Sequence, residues 1–212
     1  MRTETTTREL YTFAELSDEA KERAREDYRR AEWESGDIYW SESVIEDADT
    51  IAAILGIDIS RRTQWTNGAT VQRSDPAIYW SIGGSGEGAC FSGRYSYAKG
   101  SGAAIRKHAP QDVELHRIAD ALQRAQRRNF YKLWADIVGN DRYFTTRASV
   151  ESDHERELSP VDAEDIEQAI RDFASWIFHQ LRAADEYHVS DECVNDYLTN
   201  GDDEFTEDGR RA

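Results

Sequence analysis

The spacing of apolar residues changes period twice along this chain, and that change constrains the fold more than any motif does. Ala20, Ala24, Tyr28 and Ala31 recur at helical intervals, as do Val44, Ala48, Ile51, Ala52 and Leu55, the pattern of helices that bury one face. Between Ile57 and Tyr97 the apolar runs shorten and alternate, as strands do. Helical spacing returns in Leu115, Ile118, Ala119, Leu122, Ala125, Phe130, Leu133, Trp134 and Ile137, and again in Ile166, Ile170, Phe173, Ile177 and Leu181. Helices that flank a sheet in sequence predict an α+β fold, an antiparallel sheet of about four strands packed with long amphipathic helices. The 212 residues include three prolines, and neither a linker nor a fixed-period repeat is visible. The expectation is one α+β domain over 1–212, ending in acidic helices and a tail.

Element by element, 9–13 has strand-like composition, and Ser17 is an N-cap for a helix reaching about Trp33, with Asp18 and Glu19 in its first turn. A second helix runs over 41–55 and ends at Gly56. Strands are expected from 57 to about 65, at 77–82 and at 89–97, with a hairpin turn at Asn67-Gly68 and a flexible connection at 83–88. Short turns between them suggest a meander. Pro110 opens the longest helix, over about 111–138. A fourth strand covers 143–153, a long helix 161–184 and a short one 191–198.

Charge adds a second constraint. The chain has 42 Asp+Glu against 26 Lys+Arg, a net −16, which argues against nucleic-acid binding by the surface as a whole. The layout is uneven. Residues 1–60 hold 16 acids and 7 bases, residues 61–150 hold 7 and 14, and residues 151–212 hold 19 and 5. A basic middle can pair with acidic ends, but it cannot neutralise them, so a large acidic surface must remain. No run of about 18 apolar residues occurs, and the first eight residues lack the apolar core of a signal peptide. Two cysteines, Cys90 and Cys193, form neither a disulfide framework nor a zinc site. A reduced, cytosolic setting is expected.

Catalytic signatures are weak. The glycines of 83–88 precede a strand rather than a helix and lack the Gly-Lys-Ser/Thr of a phosphate loop, so they read as a hairpin connection. Cys90 with His108 or His116 would be a nucleophile and base only if a cation lowered the thiol pKa, and a buried strand cysteine is the plainer reading. Glu151, Asp153, Glu155 and Glu157 share a parity around His154 and could face a divalent ion, or simply be solvated. His188 with Asp191 and Glu192 looks ligand-like, but Ser190 as an N-cap accounts for both acids. Arg106, Lys107, Arg117, Arg124, Arg127, Arg128 and Lys132 could form a nucleic-acid stripe, or a helix face paired with the acidic helices. The expectation is a chain without catalytic residues, metal or cofactor. A metal- or Cys-dependent enzyme remains as a third reading.

The acids themselves are then the candidate surface. Acids three or four residues apart on a helix lie about 5–6 Å apart, close to the spacing of phosphates along a strand. Glu164, Asp165, Asp172, Asp185, Glu186, Asp191, Glu192, Asp196, Asp202 and Asp203 are the candidate partner-binding residues.

The segments 9–24 (ELYTFAELSDEAKERA) and 109–122 (APQDVELHRIADAL), continuing to Asn129-Phe130-Tyr131, together with Gly88–Gly93 (GACFSG) and Phe205–Gly209 (FTEDG), resemble a family carried by phages and prophages. Its members often bear the label "antitoxin of toxin–antitoxin stability system". The resemblance supplies no catalytic residues. It implies an acidic inhibitor that binds a host defence protein or ribonucleoprotein with a basic nucleic-acid channel. Such an inhibitor would be of anti-CRISPR or anti-restriction type, acting as a DNA mimic. The alternative is an antitoxin-like module that neutralises a toxin through aromatic contacts such as Trp33, Tyr39 and Trp40.

Overall fold

Ser17 caps the first helix as its sequence predicts: its hydroxyl accepts from the Ala20 N–H at 3.2 Å, and the helix, α1, runs Asp18–Ser35. The computed structural model describes residues 8–36, 38–66, 69–83, 86–153 and 158–212. The chain is α+β, with helices α2 (Glu42–Leu55), α3 (Ser101–His108), α4 (Val113–Arg128), α5 (Pro160–His188) and α6 (Asp191–Asn200). The strands are β1 (Ile57–Ile59), β2 (Arg61–Thr66), β3 (Ala69–Pro76), β4 (Ile78–Ser81), β5 (Gly88–Phe91), β6 (Gly93–Ser96), β7 (Leu133–Asn140) and β8 (Thr145–Ser152). They pack as two compact units, Met1–Ser41 with Ala183–Ala212, and Glu42–Arg182.

In the second unit, four antiparallel strands lie in the order β1-β6-β7-β8, while β2-β3 and β4-β5 form separate antiparallel pairs. The expected meander is therefore corrected. Ser60 and Ser92 each interrupt what reads as a single strand. The Ser60 N–H donates to Ser92 O at 2.8 Å, while Ser60 O accepts from Ala77 N at 2.7 Å. The chain changes pairing partner at both serines, so 57–59 and 93–96 join the large sheet and their neighbours do not. β7 crosses close by at Gly139, where a Cβ would stand 2.7 Å from Phe91 O. The hairpin turn expected at Asn67-Gly68 lies outside the described residues; the flanking pair Thr66 and Ala69 is in antiparallel register.

The expected helix over 111–138 is also corrected. Asp112 caps α4, accepting from Leu115 N at 2.9 Å, and the helix stops at Arg128. Phe130 and Tyr131 take φ of 54° and 61°, a conformation that side chains with a Cβ rarely adopt. Buried Gln126 holds this turn: its amide donates to Leu133 O at 2.7 Å and to the Tyr95 hydroxyl at 3.2 Å, and accepts from Leu133 N at 3.2 Å. Leu133, Ala135 and Ile137 then alternate into the core as a strand. Their i, i+4 ends also fit a helix, which is why periodicity alone misassigns them.

The core of this unit brings Ile51, Leu55, Ile78, Phe91, Ile105, Leu115, Ile118, Phe173 and Ile177 to near-complete burial.

The first unit joins the two ends of the chain. Phe13, Leu16, Ala20, Ala24, Val194, Leu198 and Phe205 form its core, with Tyr11 and Tyr28 against it. The strand expected at 9–13 is reduced to one bridge, Tyr11 with Phe205. Phe13–Glu15 turns instead as a short 3-10 helix, because the Glu15 carboxylate accepts from both the N–H and the hydroxyl of Thr12 at 2.8 Å. The tail after Gly201 folds back, and Gly209, at φ 86°, packs so closely that a Cβ would lie 2.1 Å from Ala20 O.

Candidate partner-binding face

Folding redistributes the charge that the sequence shows by segment. The first unit holds 21 acids and 9 bases, a net −12, whereas the second holds 21 and 17, a net −4. Three-quarters of the excess thus resides in a third of the residues. Six of its nine bases are in ion pairs among the described residues: Arg25 with Glu22 at 2.6 Å, Arg29 with Asp191, Arg30 with Asp27 at 3.4 Å, Arg23 and Arg210 with Asp208 at 3.4 and 3.3 Å, and Arg211 with Asp203.

The candidate acids divide between the units. In the second unit, Asp165 pairs with Arg128, and Asp172 with Arg117 at 2.7 Å, while exposed Glu164 has no ion pair among the described residues. In the first unit, Asp191 and Asp203 are paired as above. Asp185 is half-buried, and desolvation raises its carboxyl above the usual range, with His188 partly opposing. Glu186 is exposed. Glu192, Asp196 and Asp202 are exposed and have no ion pair among the described residues. Glu192 and Asp196 stand at i, i+4 on α6, whose opposite face buries Val194 and Leu198. Ser190 caps that helix, accepting from Cys193 N at 3.3 Å. Asp191 and Glu192 are therefore first-turn acids at a helix N-terminus.

The first unit also holds a cluster of aromatic and polar side chains whose grouping sequence reasoning missed. His188 is buried, and its Nε2 stands 3.2 Å from a Glu32 oxygen. Tyr39 meets the imidazole edge-on at 5.3 Å between centroids, and Trp40 stacks at 6.4 Å. Tyr28 shares a hydrogen bond with Tyr39, and desolvation raises the phenol of each. The Tyr28 ring lies 4.8 Å from that of Tyr197. A hollow of about 190 Å³ opens here, lined by Asp27, Tyr28, Glu32, Tyr197 and Arg211 over Ala24, Leu198 and Phe205. Some 160 residues of chain separate Tyr28 from His188 and Tyr197, so no local pattern could have revealed the group. Trp33 (86% exposed), Ile38 and Tyr39 add exposed apolar surface to the same unit.

Among the described residues, the structure does not bring the other candidate constellations together. Cys90 is fully buried, and desolvation pushes its thiol up to about 11. His108 Nε2 instead lies 2.9 Å from Asp47, and His116 Nε2 lies 2.9 Å from Ala109 O. Asp153 accepts from Trp134 Nε1 at 3.0 Å, and 154–157, with His154, Glu155 and Glu157, lie outside the described residues. His188 faces Glu32 rather than Asp191 and Glu192. Among the described residues no three His, Cys, Asp or Glu side chains are grouped closely enough to hold a metal ion. β4 and β5, on either side of the glycine run, pair as antiparallel strands. Of the basic stripe, Arg106 pairs with Asp120 at 2.8 Å, Arg117 with Glu114 at 2.5 Å, and Arg128 with Asp162 at 2.5 Å. Lys107, Arg124, Arg127 and Lys132 are exposed. No described helix is long and apolar enough to cross a membrane.

Residues 40–191 match the family described as Domain of unknown function (DUF8835). The chain belongs to that family. The matched stretch contains all of the second unit, whereas α1, nearly all of α6 and the folded tail lie outside it. No curated protein and no solved structure matches the chain.

Proposed function

We propose that this chain is a non-catalytic binding protein whose acidic unit engages the basic, nucleic-acid-binding surface of another macromolecule. Its biological role in this reading is that of an inhibitor of a host defence complex, of anti-CRISPR or anti-restriction type, acting in the cytosol. One observation carries the proposal: a net −12 gathered on one folded unit, with Glu192, Asp196 and Asp202 exposed and outside its internal ion pairs. Such a field attracts a basic surface and accelerates encounter with it. The resemblance of 9–24 and 109–131 to a phage-borne family supports the inhibitory role, and the full burial of Cys90, which raises its thiol pKa rather than lowering it, argues against its use as a nucleophile.

The deciding experiment is capture of partners from the natural host's lysate with the full chain, followed by competition with duplex DNA. Displacement by DNA, and loss of capture in Glu192→Lys/Asp196→Lys/Asp202→Lys, are expected. Capture indifferent to both would refute the proposal.

A second reading, an antitoxin-like module, is favoured by the exposure of Trp33 and Tyr39. It requires capture that survives salt and charge reversal but fails in Trp33→Ala.

A further inference from the structure

We propose that the hollow between α1 and α6 receives an arginine side chain of a protein partner; this deepens the reading above and rests on it. Size comes first. At about 190 Å³ the hollow falls below the roughly 300–1,000 Å³ of sites that enclose small-molecule ligands, and its capacity is that of a single side chain. Chemistry comes second. The walls are the Tyr28 and Tyr197 rings, 4.8 Å apart and inclined at 45°, and the carboxylates of Asp27 and Glu32, over an apolar floor of Ala24, Leu198 and Phe205. Aromatic faces and carboxylates together favour a cation, and a planar guanidinium can stack on one ring while its fork reaches a carboxylate.

Arg211 does not satisfy this demand. Its guanidinium is paired with Asp203 and bonded to the Tyr197 hydroxyl, and Glu32 already faces His188 at 3.2 Å, which leaves Asp27 as the carboxylate an incoming guanidinium would meet. The ion pair of Asp27 with Arg30, at 3.4 Å between exposed side chains, is a weak competitor. The unit already uses the same chemistry internally, where the Arg25 guanidinium lies 5.9 Å from the Phe13 ring centroid.

The test is a titration of the full chain by nuclear magnetic resonance with the peptide acetyl-Gly-Arg-Gly-amide and its citrulline counterpart, which has the same shape without the charge. The arginine peptide should shift the Tyr28 and Tyr197 ring signals saturably, with the citrulline peptide at least fivefold weaker. Tyr197→Ala, at a half-exposed ring, and Asp27→Asn, at a half-exposed carboxylate, should each weaken the arginine peptide at least threefold, with hydrogen exchange of α6 reporting that the unit remains folded. Equal response to both peptides, or a response unchanged in both variants, overturns the proposal. Partner capture that is lost on reversing Glu192, Asp196 and Asp202 but unchanged in Asp27→Asn overturns the pocket alone. Capture that survives the charge reversal overturns the broader reading, while the peptide titration still reports on the hollow.

Discussion

Tyr11 and Phe205 exchange reciprocal backbone hydrogen bonds of 2.8 Å, joining segments from opposite ends of the chain. The Phe205 ring, 2% exposed, faces Phe13 at 6.2 Å, and the tail beyond it seats Gly209 on the backbone of α1. The acidic tail is thereby part of a core. Phe205→Ala should destabilise the first unit by about 3–5 kcal/mol, the usual cost of emptying a buried phenylalanine site. Hydrogen exchange at the Tyr11 amide and along α6 measures it, and unchanged protection there would contradict the packing described.

Gly209 offers a sharper probe of the same contact. Its positive φ and the 2.1 Å approach of a built Cβ to Ala20 O mean that Gly209→Ala must displace α1 or the tail. A loss of about 1–3 kcal/mol is expected, read as a lower denaturation midpoint. Gly36→Ala, also at positive φ but with open space around its Cβ, should cost less.

Gln126 joins the end of α4 to the start of β7. Replacing it with leucine leaves the N–H and C=O of Leu133 buried without their partner, at a cost of about 1–3 kcal/mol. Chemical denaturation of the Gln126→Leu protein tests this. An unchanged midpoint would mean that the Phe130–Tyr131 turn needs no such clamp.

The Cys90 thiol gives a dependence on pH. Burial raises its folded pKa from 9.0 to about 11, so the folded state holds this proton more tightly than the unfolded one. The stability this contributes is complete below pH 9 and is lost as pH rises through about 11. At pH 8 the native thiol should react with iodoacetamide at least a hundredfold more slowly than in denaturant, and more slowly than the half-buried Cys193. Mass spectrometry of the alkylated peptides separates the two, and rapid native labelling of Cys90 would exclude the burial described.

Capture of a partner through the acidic unit should weaken steeply between 50 and 300 mM salt, since exposed charges are screened over about 10 Å at 0.1 M. Binding driven by Trp33 and Tyr39 would hold across that range. A salt series on the captured complex distinguishes them.

The fold class, the caps at Ser17 and Ser190, the apolar faces of α2 and α5 and the inert setting of Cys90 follow from local sequence, because capping and helical periodicity are encoded within a few residues. The sheet order does not. Ser60 and Ser92 divide continuous β-forming runs between different sheets, and only the backbone partners supplied by Ala77 and by each other decide where the division falls. The segment Leu133–Ile137 suits either period, and it becomes a strand because Gln126 and the Phe130–Tyr131 turn end α4 first. Charge shows the same boundary between local and global information. The sequence determines how many acids the chain carries and where they cluster along it. Only tertiary structure gathers residues 1–41 and 183–212 into one unit of net −12, cancels Asp191 and Asp203 with Arg29 and Arg211, and leaves Glu192, Asp196 and Asp202 facing solvent on the unit that holds a tyrosine-walled hollow. The burial of Phe205 and the Arg29–Asp191 pair depend on contacts between residues more than 150 positions apart, which no local pattern records.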